Sequence, residues 1–566
     1  MTDLVRDQVR SAIAAALAEA QADGALPAVP GEVEVERAQK PEHGDYASSV
    51  ALRLAGAVKR KPLDVAAEIA SRVPSGELIG EVSVAPPGFI NVRLAPEWKR
   101  AQVDAIVEAG AAWGDVDLGR GESLQVEFVS ANPTGPLHVA NGRGAVLGDA
   151  VASVLEAAGY DVQREYYIND AGAQARTFGA TLYARYQHLF GREVPIPEDG
   201  YPGEYMLEVA NAIKAEADDG YLRPEGEAGP DELTHLGIET MVEGIRADLE
   251  LLGVRFDHWF SERSLFEGRE SLEGKSPYEA ALARLADADF ITERDGAIWF
   301  ASTKLGEDKD NVLVRSSGEP TYFAADLAYH FDKFVERGFS RVIDVWGADH
   351  QGHVARTKAG SEAVGAPAGR LDVLLFQLVH LRRGDERVRM SKRTGEIVSL
   401  RELVEEVGAD ATRYFMLQRS ADAQMDFDLE LATSADPKQN PASYVKYAHA
   451  RAASILRNGL EADVDGGLRP DGDVQLLGQP EELALIGEML RLPELVEYMA
   501  ERLEPHHMTA YAMELAQSFT EFYGACHVID AEQPELSRAR LRLTLAAKTA
   551  LARTLRLIGI TAPETM

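Results

Sequence analysis

The stretch SANPTGPLHVANGRG (residues 130–144) decides the fold of this chain. It follows the apolar run LQVEFV (124–129) and precedes the helical pattern AVLGDAVASVLEAAGY (145–160). A strand that ends in a turn rich in glycine and proline before a helix leaves free backbone N–H groups at the carboxyl edge of the sheet. The pattern therefore predicts an anion site, most often for phosphate, with His138 and Asn141 as side-chain donors.

Short apolar runs alternate with helical patterns between residues 116 and 440, which predicts a doubly wound α/β sheet. Within this range, the stretch from about 190 to 305 is less regular and richer in acidic residues and glycine. We expect it to be an insertion between two halves of the sheet. The predicted strands are LQVEFV (124–129), NVLVR (311–315), RVIDVW (341–346) and LDVLLFQLV (371–379).

The two ends of the chain predict different architectures. Residues 1–115 combine an amphipathic N-terminal helix, a second helical pattern and the short strand pattern GFINVRLA (88–95), which predicts a small α+β domain. Residues 441–566 predict an all-α domain, interrupted by the polar, glycine-rich loop 459–480.

Composition limits the classes of protein to which the chain can belong. The net charge of −34 argues against a protein that coats nucleic acid nonspecifically, because phosphate affinity depends on lysine and arginine. The single cysteine, Cys526, allows neither an internal disulfide nor a multi-cysteine zinc site. The N-terminus lacks the pattern of a signal peptide, and no run of 18 apolar residues occurs. We expect a soluble, cytoplasmic protein without a membrane span.

A second candidate site is the basic stretch RVRMSKRTGEIVSL (387–400). A basic loop suits a polyphosphate whose negative charge grows during reaction, although most such loops are simply solvated. The basic side chains belong to Arg387, Arg389, Lys392 and Arg393, and they surround Met390 and Ser391.

In order and placement, these two stretches resemble the signatures of class I aminoacyl-tRNA synthetases, His-Ile-Gly-His and Lys-Met-Ser-Lys-Ser, which lie on a Rossmann-type domain. Here the first reads His138-Val139-Ala140-Asn141 and the second Arg389-Met390-Ser391-Lys392-Arg393. Alanine replaces the signature glycine, and asparagine replaces the second histidine. Further stretches are similar to arginyl-tRNA synthetase nearly end to end: GDYA (44–47), PGFINVRL (87–94), VEFVSANPTGPLH (126–138), NPASYVKYAHAR (440–451) and IGITAPETM (558–566).

The resemblance implies two reactions. Arginine and ATP form arginyl-adenylate and pyrophosphate, and the arginyl group then moves to the 2′-hydroxyl of the 3′-terminal adenosine of the tRNA. His138 and Asn141 are expected to contact the ATP phosphates, Lys392 to stabilise the leaving pyrophosphate, and Mg²⁺ to accompany ATP. Members of this family usually need tRNA for the activation step.

The resemblance and the residues together predict two substrate sites. A guanidinium is best held by carboxylates, and Tyr322 and Asp326 lie four residues apart on a predicted helix. The turn WGADHQGH (346–353) crowds Asp349, His350 and His353, but we expect no protein-bound metal there. The predicted ATP contacts are Pro133, Gly135, His138, Asn141, Gly142, Gly347, Asp349, His350, Met390, Ser391 and Lys392. The predicted arginine contacts are Glu127, Ser130, Asn132, His138, Tyr322, Asp326 and His350.

For tRNA, the resemblance assigns the anticodon to the helical C-terminal domain and the outer corner of the L to the N-terminal domain. The stretch LSRARLRLTLAAKTALARTLR (536–556) has six basic and no acidic residues, so one helical face could contact the RNA backbone or simply be solvated. Tyr444 and Tyr447 could stack on bases or belong to the core. The predicted basic contacts are Arg538, Arg542, Arg553 and Arg556.

Two other functions are compatible with the signatures. Another class I synthetase is the nearer alternative, although cysteine-bound zinc is excluded and 254 residues between the signatures leave little room for an editing domain. A noncatalytic RNA-binding paralogue is the other. We expect a monomer that acts on arginine, ATP and the arginine tRNA.

Overall fold

The computed structural model describes residues 4–29, 32–38, 40–388, 398–462 and 468–566. Among the helices of these ranges, none combines the length and apolar character that crossing a bilayer requires.

The N-terminal part of the chain is an α+β unit. Its strands form an antiparallel sheet in the order β1-β2-β4-β3, and α1, α2 and α3 pack on it around a core that includes Ile13, Leu54 and Ile90. α4 follows β4 directly and leads to the next domain. The elements are α1 (Val5–Ala22), β1 (Glu36–Arg37), β2 (Tyr46–Ser48), α2 (Val50–Val58), α3 (Pro62–Ala70), β3 (Ile79–Ala85), β4 (Phe89–Leu94) and α4 (Pro96–Ala109).

The central part contains a five-stranded parallel sheet in the order β12-β11-β5-β6-β7. The first half of this part comprises β5 (Ser123–Glu127), α5 (Val139–Ala157), β6 (Asp161–Ile168), α6 (Gly172–His188), α7 (Tyr205–Ala217), α8 (Asp231–Leu251), β7 (His258–Ser261), α9 (Pro277–Asp287), β8 (Ile291–Arg294), β9 (Ala297–Phe300) and β10 (Asn311–Val314). The second half comprises α10 (Tyr322–Phe331), β11 (Arg341–Gly347), α11 (Val354–Val364), β12 (Leu371–Phe376), β13 (Val379–Arg383), β14 (Glu386–Arg387), α12 (Leu400–Val407), α13 (Ala409–Leu417), β15 (Met425–Asp428) and α14 (Leu429–Thr433).

Three details of the predicted sheet were wrong. NVLVR (311–315) does contain a strand, but β10 pairs with β9 and β8 in a separate antiparallel sheet. LDVLLFQLV (371–379) breaks at Gln377, and Val379 begins β13, which pairs with β14 and β15. The stretch 190–305 is not a single insertion, because it contains β7, an edge strand of the parallel sheet.

The helix α5 is buried along most of its length, which explains why its sequence is rich in glycine and alanine. A Cβ on Gly148 would lie 2.2 Å from the ring of Phe128, so only glycine allows the helix to approach this ring. This close packing fixes the position of the turn that precedes the helix.

The C-terminal part is helical, as predicted, and consists of α15 (Pro441–Leu460), α16 (Pro480–Met489), α17 (Leu492–Arg502), α18 (His507–Ala525) and α19 (Pro534–Leu557). Arg413 of α13 joins this part to the central part of the chain, because its buried guanidinium pairs with Asp149 of α5 and donates to the Ile558 carbonyl at 2.8 Å. The N-terminal domain also contacts it, through Arg37 and Glu494 at 2.8 Å.

Candidate active site

The parallel sheet contains a topological switch point between β5 and β11. β5 continues through α5 to β6 on one side, whereas β11 continues through α11 to β12 on the other. Ligands of open α/β sheets bind at the carboxyl ends of the strands at such a point. Glu127 ends β5, Gly347 ends β11, and both therefore lie at the edge where the two strands open a cleft.

His138 and Asn141 lie at the start of α5, at this edge. His138 is the N-cap, and its backbone N–H donates to Asn141 Oδ1 at 2.9 Å. The Asn141 oxygen therefore caps its own helix, and its amide nitrogen is the group left to donate to a phosphate. Ala140, between them, is half-buried.

The small and cyclic residues of this turn have different surroundings. Gly142 is buried, and a Cβ there would lie 2.7 Å from Leu400 Cδ1, so helix packing by itself accounts for this glycine. Pro133 is also buried, while Gly135 is half-buried beside the Tyr205 hydroxyl. Of the three, Gly135 is the most accessible to a ligand.

The second signature, Arg389, Met390, Ser391, Lys392 and Arg393, lies outside the described residues. The residues that follow it do contact the first signature. Ser399 forms an isolated antiparallel bridge with His138, and the Leu400 N–H donates to the Leu137 carbonyl at 2.8 Å. The residues that follow the second signature thus contact the first signature at the N-terminus of α5.

The predicted arginine pocket contains Tyr322 and Asp326 in the first turns of α10, with the Tyr322 side chain exposed. Glu262, which the sequence analysis missed, lies near Asp326 and is buried directly after β7. Burial, together with the charges of Asp326 and Asp170, raises the pKa of Glu262 to about 7. Burial also raises the pKa of Asp326.

No close ion pair holds these carboxylates in the described part of the chain, although the charges of His330, Arg356 and Lys333 act to lower the pKa of Asp326. Neither Glu262 nor Asp326 has a lysine or arginine nitrogen within 4.0 Å there. Tyr167 of β6 hydrogen-bonds to Glu262. A buried, unpaired carboxylate is costly, and a bound guanidinium would remove that cost by pairing with both.

Asn132 reaches the same pocket through Asn169. With the Asn169 amide nitrogen directed at Glu262 (2.7 Å), its oxygen lies 3.1 Å from the side-chain amide of Asn132. The sequence signal for this side of the pocket is the run YYIND (166–170), in which strand β6 ends in an Asn-Asp pair as β5 ends in a polar turn.

The loop after β5 carries local backbone strain. Val129 has a φ of 68° and Ser130 a φ of 40°, in the left-handed region that β-branched residues rarely adopt. In this strained conformation the Ser130 hydroxyl donates to Glu127 Oε1 at 2.8 Å, and Ser130 Oγ accepts from the Tyr167 backbone N–H at 3.1 Å. Such outliers concentrate at functional sites, where the surrounding structure holds them in place.

The turn after β11 is open to solvent. Asp349, His350 and His353 are exposed, and Gly347 is half-buried at the strand end. The His350 and His353 rings are 5.7 Å apart, and burial, then Arg356 and His350, lower the pKa of His353. Gly347 thus lies at the carboxyl end of β11, and His350 is exposed in the turn that follows it.

The residues predicted to contact tRNA fall into two groups. Arg538, Arg542 and Arg553 of α19 pair with carboxylates of the chain itself: Asp471 at 3.6 Å, Asp104 at 2.8 Å and Asp115. These arginines therefore hold α19 to neighbouring segments, whereas Arg556 is exposed.

The two tyrosines of α15 also differ. Tyr444 is half-buried and its hydroxyl donates to Thr520 Oγ1 at 3.2 Å, which makes it part of the helical packing. Tyr447 is exposed, and the guanidinium of Arg451 lies over both its ring and that of Tyr523.

Comparisons with known proteins cover nearly the whole chain. Residues 7–94 match the model of the arginyl-tRNA synthetase N-terminal domain, 102–435 the arginine-type class I tRNA synthetase catalytic domain, and 445–566 the DALR anticodon-binding domain. These matches favour the arginyl type over the other class I synthetases that the signatures alone allow.

Individual relatives agree with these matches. The chain is 48% identical to the arginine–tRNA ligase of Dehalococcoides mccartyi strain CBDB1 over 99% of both chains, and 45% identical to that of Geobacter sp. strain M21 over 99% of this chain and 100% of the other. Its structure resembles Thermus thermophilus arginyl-tRNA synthetase with a TM-score of 0.73 at 25% identity, covering 99% of this chain and 100% of that one. The chain belongs to the arginyl-tRNA synthetase family of class I aminoacyl-tRNA synthetases.

Proposed function

We propose that the cleft between the ends of β5 and β11 binds ATP and arginine side by side, in the roles given below. As a member of its family, the chain is an arginine–tRNA ligase, an enzyme that uses ATP to attach arginine to tRNA. The observation that carries the residue assignment is a pair of carboxylates, buried Glu262 and half-buried Asp326, that form no ion pair within 4.0 Å in the described ranges.

On the arginine side, we assign the guanidinium to Asp326 and Glu262, with Tyr322 closing the exposed side of the pocket. Ion pairing with a planar cation in a buried site is strong and directional. Asn132 contacts Asn169, which faces Glu262, and it belongs to the turn that leads to His138, so we assign it to the backbone end of arginine.

On the ATP side, the N-terminus of α5 supplies backbone N–H groups and the positive end of the helix dipole. His138 and the Asn141 amide nitrogen are assigned to the ATP phosphates, and Lys392 is assigned to the leaving pyrophosphate. ATP enters as its Mg²⁺ complex. The arginine carboxylate then attacks the α-phosphate in line, a step that requires positioning and charge stabilisation more than covalent catalysis.

For tRNA, we assign the anticodon to the helical domain 441–566, with Tyr447 as the exposed aromatic side chain. Residues 1–115 form the N-terminal domain and 116–440 the catalytic domain in this division. Backbone contact by the arginines of α19 stays a prediction, and Arg556 is its best candidate because it is exposed. A cytoplasmic monomer is the proposed form.

Discrimination between arginine and citrulline tests the pocket assignment. Citrulline has nearly the same shape but is neutral, so it leaves both carboxylates without a charged partner. We expect its kcat/KM in tRNA charging to be lower by about 10³-fold or more, because buried polar groups would stay unpaired. Comparable charging of both amino acids would refute the carboxylate pocket.

A further inference from the structure

A row of three buried carboxylates crosses the sheet close to the proposed arginine pocket, and the charge of one of them, Asp344, acts to raise the pKa of Asp326. Asp344 of β11 is the register partner of Glu127 of β5, which in turn is the partner of Glu165 of β6. All three are buried. Like charges at neighbouring positions of one sheet face repel each other, so this row needs cations to be stable.

The cations come from a π-helical turn, Asp332–Glu336, that directly follows α10, and from the next residue, Arg337. Lys333, fully buried, places its Nζ 2.5 Å from Glu127 Oε2 and 2.9 Å from Asp344 Oδ1. Arg337 pairs with both oxygens of Glu165, at 2.5 and 2.8 Å. π-helical turns are rare and often occur at functional sites.

Asp344 also binds the helix α10 itself. His330 Nε2 lies 3.0 Å from Asp344 Oδ2, and His330 Nδ1 lies 2.7 Å from the backbone carbonyl of Asp326. Burial alone would raise the pKa of Asp344, but Lys333 and His330 hold it well below its usual range. Asp344 is therefore a fixed anion that holds two side chains of the segment 330–333.

We propose that Lys333 is a positioning residue for arginine, an inference that rests on the proposed function of the pocket. Lys333 contacts no substrate. It fixes the Glu127 carboxylate from below and ties the end of α10 to the sheet, and the start of α10 carries Tyr322 and Asp326. The position of the arginine-binding residues therefore depends on Lys333. The His138 turn, which we assign to ATP, starts a different helix, α5.

The substitution Lys333→Met tests this proposal, because it should change the KM for arginine and leave the KM for ATP nearly unchanged. We expect the KM for arginine to rise on the order of 10- to 100-fold, because small displacements of binding groups are costly, with the KM for ATP within twofold of wild type. A purely structural loss would lower the amount of active enzyme and leave both KM values unchanged.

A second variant separates positioning from folding. Lys333→Met together with Asp344→Asn removes the buried cation and one of its two carboxylate partners, and we expect its Tm to recover part of the loss caused by Lys333→Met alone. Its KM for arginine should stay raised. A KM for arginine within twofold of wild type in this folded double variant would overturn the proposal.

The matched control is Arg413→Met, which removes a fully buried cation paired with Asp149, eleven residues along α5 from His138. We expect a lower Tm but a KM for arginine within twofold of wild type. If this variant raises the KM for arginine as much as Lys333→Met, the effect is general and the proposal fails. Charging of tRNA with arginine by the wild-type enzyme tests the proposed function on its own. The Lys333→Met experiment instead compares the KM values of the variant with those of the wild type.

Discussion

Glu262 should make arginine binding depend on pH near neutrality. The groups that face its carboxylate are Asp326 from α10, Asp170 from the loop after β6, and Tyr167 from β6. Burial and the two acidic neighbours raise the pKa of Glu262 to about 7 in the free enzyme. Below pH 7 the carboxyl is therefore largely protonated and neutral, and it can attract a guanidinium only weakly.

The size of the effect follows from that pKa. A bound guanidinium stabilises the charged carboxylate and lowers its pKa, so binding at low pH must release the proton of Glu262. With a free-enzyme pKa of about 7 and a bound pKa well below 6, the dissociation constant for arginine should fall about tenfold between pH 6 and pH 8. About 0.9 proton should be released for each arginine bound at pH 6, and about 0.1 at pH 8.

Isothermal titration calorimetry of arginine in buffers of different ionisation enthalpy measures both quantities. Glu262→Gln is the matched control, because glutamine keeps the shape and cannot titrate. The α-amino group of arginine titrates equally with both proteins and cancels in the comparison. Equal pH dependence and equal proton release in wild type and Glu262→Gln would refute the assignment of Glu262 to the guanidinium.

Two further predictions concern the pocket and the helix beneath it. Asp326→Ala should raise the KM for arginine by about 10²-fold or more, because it removes one of the two carboxylates that pair with the guanidinium, with a much smaller effect on the KM for ATP. Steady-state charging measures both constants, and equal effects would remove Asp326 from the pocket. Gly148→Val should destabilise the protein by about 1–3 kcal/mol or more, because the Cβ of the valine would lie 2.2 Å from the Phe128 ring. Urea unfolding measures this free energy, and an unchanged value would show that α5 can move away from the Phe128 ring.

The strand, turn and helix around the first signature could be predicted from local sequence. LQVEFV is apolar, SANPTGPLH contains the residues that turns favour, and α5 follows at once. Strand β6 could not be found in this way, because DVQREYYI (161–168) has charged residues that are held by distant partners. Glu165 is buried only because Arg337, 172 residues later, neutralises it.

The strand with which NVLVR (311–315) pairs likewise cannot be predicted from its local sequence. Its apolar run predicts a strand correctly, but nothing within it distinguishes the parallel sheet from the small antiparallel one. The arginines of α19 show the same limit. Their helical spacing was predicted, whereas the carboxylates that pair with Arg542 and Arg553 come from residues 104 and 115.

The candidate site could be predicted only in part, because some of its residues come from segments that are distant in the sequence. Tyr322 and Asp326 share one helix, so their spacing could be read directly. Glu262 lies in a different segment and joins them only when β7 takes its place at the sheet edge. The local sequence does not mark Lys333 as a site residue, because its burial depends on the π-helical turn and the carboxylate row.

The most direct test of the account is arginine-dependent exchange between ATP and pyrophosphate, measured with and without the arginine tRNA. Exchange reports adenylate formation, the step that needs both the arginine side and the ATP side of the cleft. The account predicts exchange that requires arginine and that is seen when tRNA is present, together with formation of arginyl-tRNA. Absence of exchange under both conditions, with no charging of tRNA, would contradict it.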